Sequence, residues 1–150
     1  MYSSADEEER LRFVIGVEQA IVEHGAIFLE GGAGYGKSTL VKELIRRELA
    51  RNKRNWKYVI LGPIGSLIDD VWKGFNAMTD ASALGNVVNT DGEQEQHTSG
   101  LDFKGVQLLV VDEAYLCILE NILKLKRRMR ENPQMKVVFL GETRTNASRS

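Results

Sequence analysis

Hydrophobic and polar positions follow two different periods along this chain, and the two periods alternate. Short, nearly continuous apolar runs predict β-strands over 26–29, 57–61, 106–111 and 136–140. Between the runs, apolar residues spaced three or four apart predict helices over 4–23, 37–51, 66–76 and 113–130. Strands that alternate with helices are typical of an α/β fold with a mostly parallel sheet. We therefore predict one α/β domain over 1–150.

Residues 77–104 follow neither period. They are rich in Asn, Thr, Asp, Gly, Gln and Ser. Loops of this length inside compact domains usually carry function or remain unfolded. We predict a long surface loop or insertion, with at most a short helical or hairpin piece.

Composition narrows the class of protein. A chain of 150 residues with 43% hydrophobic residues suits a single globular domain, and a net charge of −1 favours no particular charged partner. One cysteine, Cys117, excludes an internal disulfide and favours a reducing compartment. The acidic start over 6–9 is unlike a signal peptide, and no apolar run is long enough to cross a bilayer. We expect an intracellular, cytoplasmic or nuclear, protein with no membrane partner.

The segment 31–38 fits the phosphate-binding loop pattern G-x-x-x-x-G-K-S/T, between a predicted strand and a predicted helix. Glycines let successive backbone N–H groups turn toward a polyphosphate, and the helix directs the positive end of its dipole at the anion. Lys37 is expected to reach the terminal phosphates as a catalytic cation. The predicted nucleotide-binding residues are Gly31, Gly32, Ala33, Gly34, Tyr35, Gly36, Lys37, Ser38 and Thr39.

A second group of candidate residues ends the apolar run at 106–111. Asp112 and Glu113 follow this buried strand, and open α/β sheets bind their ligands at the carboxyl ends of the strands. Asp112 and the Ser38 hydroxyl are predicted to hold Mg²⁺. Glu113 is predicted to act as the general base, either by polarising an attacking water or by accepting a proton from an alcohol. The plainer alternative is a strand that ends in a polar turn.

These motifs together resemble the first RecA-like motor domain of superfamily 1 DNA helicases, in the branch that includes RecD and phage Dda helicases. The resemblance covers residues 8–145 and rests on four segments in the same order as in that family: 31–39, 59–63, 110–114 and 137–142. It implies a P-loop NTPase with a RecA-like three-layer sandwich, ATP and Mg²⁺ as cofactors, and ATP hydrolysis. It also implies single-stranded DNA or RNA and a second motor lobe or oligomer as partners. In that family, the strand that ends in the γ-phosphate sensor lies between the phosphate-loop strand and the Asp-Glu strand.

Departures from the family keep other functions open. The sensor motif Gly-Asp-x-x-Gln is replaced by Gly141-Glu142-Thr143-Arg144-Thr145, and we expect the second motor domain to be absent from this chain. We do not expect this chain alone to unwind a duplex. One alternative is a phosphotransferase resembling thymidine kinases, which also carry an Asp-Glu-Ala triplet. Another is a non-catalytic domain that binds nucleotide or docks on a partner.

Two further patterns each have a functional and a plain interpretation. A basic run near the end of the last predicted helix could contact nucleic-acid phosphates, but we favour a solvated helix end, where cations meet the negative end of the dipole. An aromatic and aliphatic stripe in the third helix could stack on bases, but we favour a place in the core. The basic run comprises Lys124, Lys126, Arg127, Arg128 and Arg130; the stripe comprises Leu67, Ile68, Val71, Trp72 and Phe75.

Overall fold

A computed structural model describes residues 4–31, 36–52, 55–63, 68–85, 87–90, 94–97 and 100–141. The helices are α1 (Ser4–His24), α2 (Lys37–Asn52), α3 (Ile68–Val71), α4 (Asp80–Leu84) and α5 (Leu119–Glu131). The strands are β1 (Ala26–Glu30), β2 (Tyr58–Gly62), β3 (Ala77–Thr79), β4 (Val87–Thr90), β5 (Gln94–His97), β6 (Leu108–Val111) and β7 (Lys136–Gly141). A 3₁₀ turn, Ala114–Leu116, separates β6 from α5.

Five strands form one sheet in the order β1-β7-β6-β2-β3, and every neighbouring pair is parallel. The predicted RecA-like α/β fold is therefore confirmed. The expected strand order is also found, because β7 lies between the phosphate-loop strand β1 and the Asp-Glu strand β6. This order brings the ends of β1, β7 and β6 side by side at one edge of the sheet.

A hydrophobic core lies on each face of the sheet. Helices α1 and α2 pack on one face, together with Trp72, through the buried residues Val14, Val17, Ile21, Leu40, Val41, Leu44 and Ile45. Helices α4 and α5 pack on the other face, through the buried residues Ala83, Leu84 and Leu125 together with Phe103 and Met135. The favoured core interpretation of the third helix holds for Val71, Trp72 and Phe75, whereas the side chains of Leu67 and Ile68 lie outside the description.

Two predicted helices are too long. The third helix, described from Ile68, ends at Val71 and not at Asn76, because the chain turns at once and Gly74 takes a φ of +86°. The last helix begins at Leu119 rather than Glu113, because Glu113 has a left-handed backbone and is followed by a 3₁₀ turn. Local periodicity continues through both regions, so it could not mark either boundary.

The segment 77–104 contains more structure than predicted. Ala77–Thr79 forms β3, the outermost strand of the main sheet next to β2, where it pairs in parallel with Ile60, Leu61 and Gly62. The short helix α4 follows, and β4 and β5 form a separate antiparallel hairpin. The loop prediction is wrong for β3, because three residues are too few to show a period and the strand exists only through its pairing with β2.

Within the described ranges, none of the helices combines the length and apolar character that crossing a membrane requires.

Candidate active site

Lys37, the first residue of α2, ties together the ends of two neighbouring strands. Its Nζ donates to the carbonyl oxygen of Gly31, which follows β1, and to that of Gly141, the last residue of β7, both at 2.6 Å. Gly36 precedes it with a φ of +75° and accepts a backbone hydrogen bond from the N–H of Leu40 at 2.9 Å. The left-handed φ of Gly36 suits glycine and lets the chain enter α2 directly.

The remaining predicted loop residues, Gly32, Ala33, Gly34 and Tyr35, lie outside the described residues. Ser38 and Thr39 lie in the first turn of α2, where backbone N–H groups have no partner within the helix.

An aromatic pair on β1 and β7 supports the backbone that holds Lys37. The rings of Phe28 and Phe139 stack with centroids 6.4 Å apart. A Cβ atom placed on Gly141 would lie only 2.6 Å from Cζ of Phe28. Gly141 thus allows an aromatic ring to lie against the strand end whose carbonyl accepts from Lys37.

Asp112 directly follows β6, and both of its carboxylate oxygens accept hydrogen bonds. Oδ2 accepts from the indole Nε1 of Trp72 at 2.8 Å, and Oδ1 accepts from the backbone N–H of Glu113 at 2.9 Å. The backbone N–H of Asp112 donates to Leu61 at 2.7 Å, which extends the pairing of β6 with β2 by one residue. The carboxylate is therefore held in one orientation at the edge of the sheet.

Sequence reasoning missed the role of Trp72 as a hydrogen-bond donor, because it weighs only a place in the core and stacking on bases. The ring is 1% exposed and belongs to the core, but its N–H also reaches Asp112. A buried indole N–H nearly always has a hydrogen-bond acceptor. This general requirement for an acceptor was the only signal in the sequence, and it does not identify Asp112, forty residues away, as the acceptor.

Glu113 has a strained backbone. Its φ of 49° and ψ of 46° are left-handed, and among the described residues it alone has this conformation without being glycine. Such a conformation costs on the order of 1 kcal/mol for a residue with a side chain. The carbonyl oxygen of Glu113 accepts from the N–H of Leu116 at 2.9 Å, which starts the 3₁₀ turn. The turn sends the chain away from the strand immediately after the acidic pair.

The register of the sheet places the lysine and the aspartate at the same edge. Val111 pairs with Phe139, so Asp112 lies one residue beyond this pair on β6, and Gly141 lies two residues beyond it on β7. Neighbouring strands are about 5 Å apart. Because Lys37 is bonded to Gly141, the structure brings Lys37 and Asp112 together at the carboxyl ends of adjacent strands.

A buried carboxyl group lies beside a partly buried thiol, and the sequence does not predict this contact. Asp80, at the start of α4, is 4% exposed, and burial raises its pKa from an ordinary 3.8 to about 6. The Sγ atom of Cys117 lies 4.0 Å from its Oδ2, and burial together with the charge of Asp80 raises the pKa of the thiol to about 11. Cys117 is partly buried, and a thiol with a raised pKa carries little of the reactive thiolate form.

The described residues fit a polyphosphate that carries Mg²⁺. An ammonium group, the N-terminus of a helix of 16 residues and an oriented carboxylate converge on one edge. The ammonium group and the helix N-terminus suit phosphate oxygens. The carboxylate, together with a hydroxyl, suits a hard divalent cation.

Comparison with known proteins agrees with this arrangement. The family model of the AAA domain matches residues 16–148, which is most of the chain. Comparison with curated proteins finds no matching relative. The family match supports a P-loop NTPase and indicates nucleotide binding. By its fold, its phosphate-binding loop and this match, the chain belongs to the AAA domain family of P-loop NTPases.

Proposed function

We propose that this domain binds ATP with Mg²⁺ and hydrolyses it, as the first motor lobe of a superfamily 1 helicase of the RecD and Dda branch. The observation that carries the proposal is the position of Lys37, which is bonded to the end of β7 beside Asp112 and Glu113. Binding a nucleotide with its cation and orienting an attacking water require an ammonium group, a carboxylate that can hold the cation and a second carboxylate as base within one small region.

Lys37 is the proposed phosphate-binding cation. Its ammonium group already has two acceptors, but both are neutral carbonyl oxygens. Hydrogen bonds to charged oxygens are roughly twice as strong as those to neutral ones. A terminal phosphate would therefore replace at least one carbonyl with a better acceptor, and the N-terminus of α2 would add its dipole.

Ser38 and Asp112 are the proposed ligands of the metal ion. Bound Mg²⁺ would offset part of the charge of the phosphates. Asp112 suits this role because Trp72 and the Glu113 backbone fix the direction of its carboxylate. Fixed orientation matters because Mg²⁺ demands nearly ideal octahedral geometry.

Glu113 is the proposed general base, which would orient the attacking water and accept its proton. Its strained backbone supports this role, since strain of this kind clusters at functional sites.

Single-stranded nucleic acid is the proposed activator. The support is that β2, whose end resembles the DNA-contacting turn of the helicases, pairs directly with β6.

Phosphate release from ATP, with and without single-stranded DNA, tests the proposal. We expect slow release by the wild type, stimulation by the DNA, and loss of release in Lys37→Ala. Lys57→Ala is the matched control, because Lys57 is exposed just before β2, at the opposite edge of the sheet. Glu113→Gln should keep ATP affinity but lose about 100-fold in turnover, as removal of a general base does.

Three results would count against the proposal. Release by the wild type no faster than by Lys37→Ala would exclude hydrolysis at this site. Tight ATP binding without turnover, even with DNA present, would select a non-catalytic nucleotide-binding domain. Normal turnover in Glu113→Gln would remove that residue from the mechanism.

A further inference from the structure

The solvent face of α5 has two chemically different halves. Leu119 is 70% exposed and Leu123 is 57% exposed, and both lie in the first half of the helix. Lys126 and Arg130 are exposed in the second half. These four residues recur at spacings of four, three and four, so they share one face, and Ile122 and Arg127 flank them. The face is apolar at its start and basic at its end.

The basic half keeps its charge because the acidic residues of α5 are engaged elsewhere on the helix. Glu120 pairs with Lys124 and Glu131 pairs with Arg128, each at 3.2 Å. Lys126, Arg127 and Arg130 form no ion pair with any residue in the described ranges. Three adjacent cations therefore face solvent together.

Neither interpretation made from the sequence explains the whole face. A solvated helix end accounts for the cations but not for two leucines that are more than half exposed. Nucleic-acid phosphates would also contact the cations and leave the leucines in water. Contiguous exposed apolar residues beside charged ones are typical of a protein interaction surface.

The complementary pattern lies at the start of α1 of the same chain. Glu7, Glu8 and Glu9 are exposed there, followed by Leu11 at 41% exposure and Phe13 at 61%. Glu9 and Phe13 are four residues apart and so lie on the same side of the helix. This helix is acidic first and apolar second.

Antiparallel pairing of the two helices would match both halves. The apolar half of α5 would meet Phe13, and its basic half would meet the acidic residues of α1. At 1.5 Å per residue, the apolar and charged parts of each helix are about 7–11 Å apart along the helix axis, so the spacing on α5 is similar to that on α1. Helices α1 and α5 pack on opposite faces of the sheet, so one molecule cannot pair them with each other.

We propose that the solvent face of α5 binds the start of α1 from a second copy of this chain. The contact is head-to-tail, so it leaves one free α1 and one free α5 at the ends of any assembly that does not close into a ring. It is separate from the nucleotide site and does not depend on the proposed hydrolysis.

Sedimentation of the full chain over a range of concentrations tests this contact. The mean mass should rise with concentration and fall as salt screens the exposed charges. Replacing Lys126, Arg127 and Arg130 with Glu should weaken association on the order of tenfold or more, since opposed like charges cost several kcal/mol. The matched control replaces three other exposed cations, Lys57, Lys73 and Lys104, with Glu.

Two further arms separate specific pairing from general charge effects. Leu119→Ser with Leu123→Ser, or Phe13→Ser alone, should also weaken association, although neither changes the charge. A chain with Glu7, Glu8 and Glu9 replaced by Lys should be monomeric alone, and should associate when mixed with the α5 charge variant. Circular dichroism checks that each variant folds, as expected for exposed positions.

The proposal is overturned if the wild type is monomeric at every concentration. It is equally overturned if the α5 charge variant associates as well as its matched control. A monomeric wild type that binds single-stranded DNA, and loses this binding in the α5 charge variant, would assign the face to nucleic acid instead.

Discussion

The charged side chains of the site are each held by specific neighbours. Lys37 is held by the carbonyls of Gly31 and Gly141, and Asp112 by Trp72. The sequence predicts Lys37 and Asp112 as site residues, because the phosphate loop and the acidic end of an apolar strand are local patterns. It could not identify Trp72 or Gly141 as supporting residues, because those contacts join distant parts of the chain.

Trp72→Phe tests whether the indole orients the carboxylate of Asp112, the proposed ligand of the metal ion. Phenylalanine keeps the ring in the core but removes the N–H that donates to Asp112. We expect ATP affinity in Mg²⁺ to fall about tenfold, as loss of a hydrogen bond to a charged group implies, with little change in EDTA. Phe75→Leu is the control, since Phe75 packs beside Trp72 without a hydrogen-bonding group. Equal losses with and without Mg²⁺ would indicate general damage instead.

Asp80→Asn tests the buried carboxyl group. Because burial raises its pKa to about 6, the folded protein favours the protonated form, and ionisation weakens the fold as pH rises from 3.8 toward 6. The difference between the two pKa values corresponds to roughly 3 kcal/mol of the free energy of unfolding. Asp80→Asn should therefore be more stable than the wild type above pH 6 by up to this amount, with the gain shrinking toward pH 4.

Urea unfolding of the wild type and Asp80→Asn at several pH values measures this gain. Asp70→Asn is the control, because Asp70 is exposed. A difference between wild type and Asp80→Asn that does not vary with pH would show that Asp80 does not titrate in this range.

At the scale of elements, segments with a hydrophobic pattern of their own were predictable, and features that depend on contacts with distant residues or on an unusual backbone were not. Helices α1 and α2 and strands β1 and β7 lie within one residue of the predicted bounds. The strand β3 exists through pairing with β2, which no local pattern reveals. The start of α5 was placed too early because Glu113 must leave the strand with a left-handed backbone, which breaks a helical pattern that otherwise continues.

Glu113→Gly tests whether this strain is kept for function. Glycine adopts a φ of 49° without steric strain, but its greater freedom in the unfolded chain offsets part of this gain, so the variant should be more stable than the wild type by less than about 1 kcal/mol. It should also lose turnover, because the proposed base is gone. Glu113→Gln is the matched control, which should lose turnover without the gain in stability. Urea unfolding measures the stability of both variants, and equal stabilities would argue against backbone strain at Glu113.

At the scale of the whole molecule, the order of the strands unites the site. The phosphate loop and the acidic pair are more than seventy residues apart in sequence, and no local pattern states that β7 lies between β1 and β6. That order was expected only from the resemblance to helicases. It places the bond between Lys37 and Gly141 at the end of the strand next to that of Asp112, as the proposed shared nucleotide site requires.

Titration with ATP, in Mg²⁺ and in EDTA, tests most directly whether Lys37 and Asp112 serve one nucleotide. The wild type should bind more tightly in Mg²⁺ than in EDTA. Lys37→Ala should weaken binding on the order of tenfold or more in both conditions, as loss of a buried charged contact does. Asp112→Asn should remove the advantage of Mg²⁺ and leave affinity in EDTA unchanged. Wild-type affinity in Lys37→Ala, or a full Mg²⁺ advantage in Asp112→Asn, would contradict a shared site.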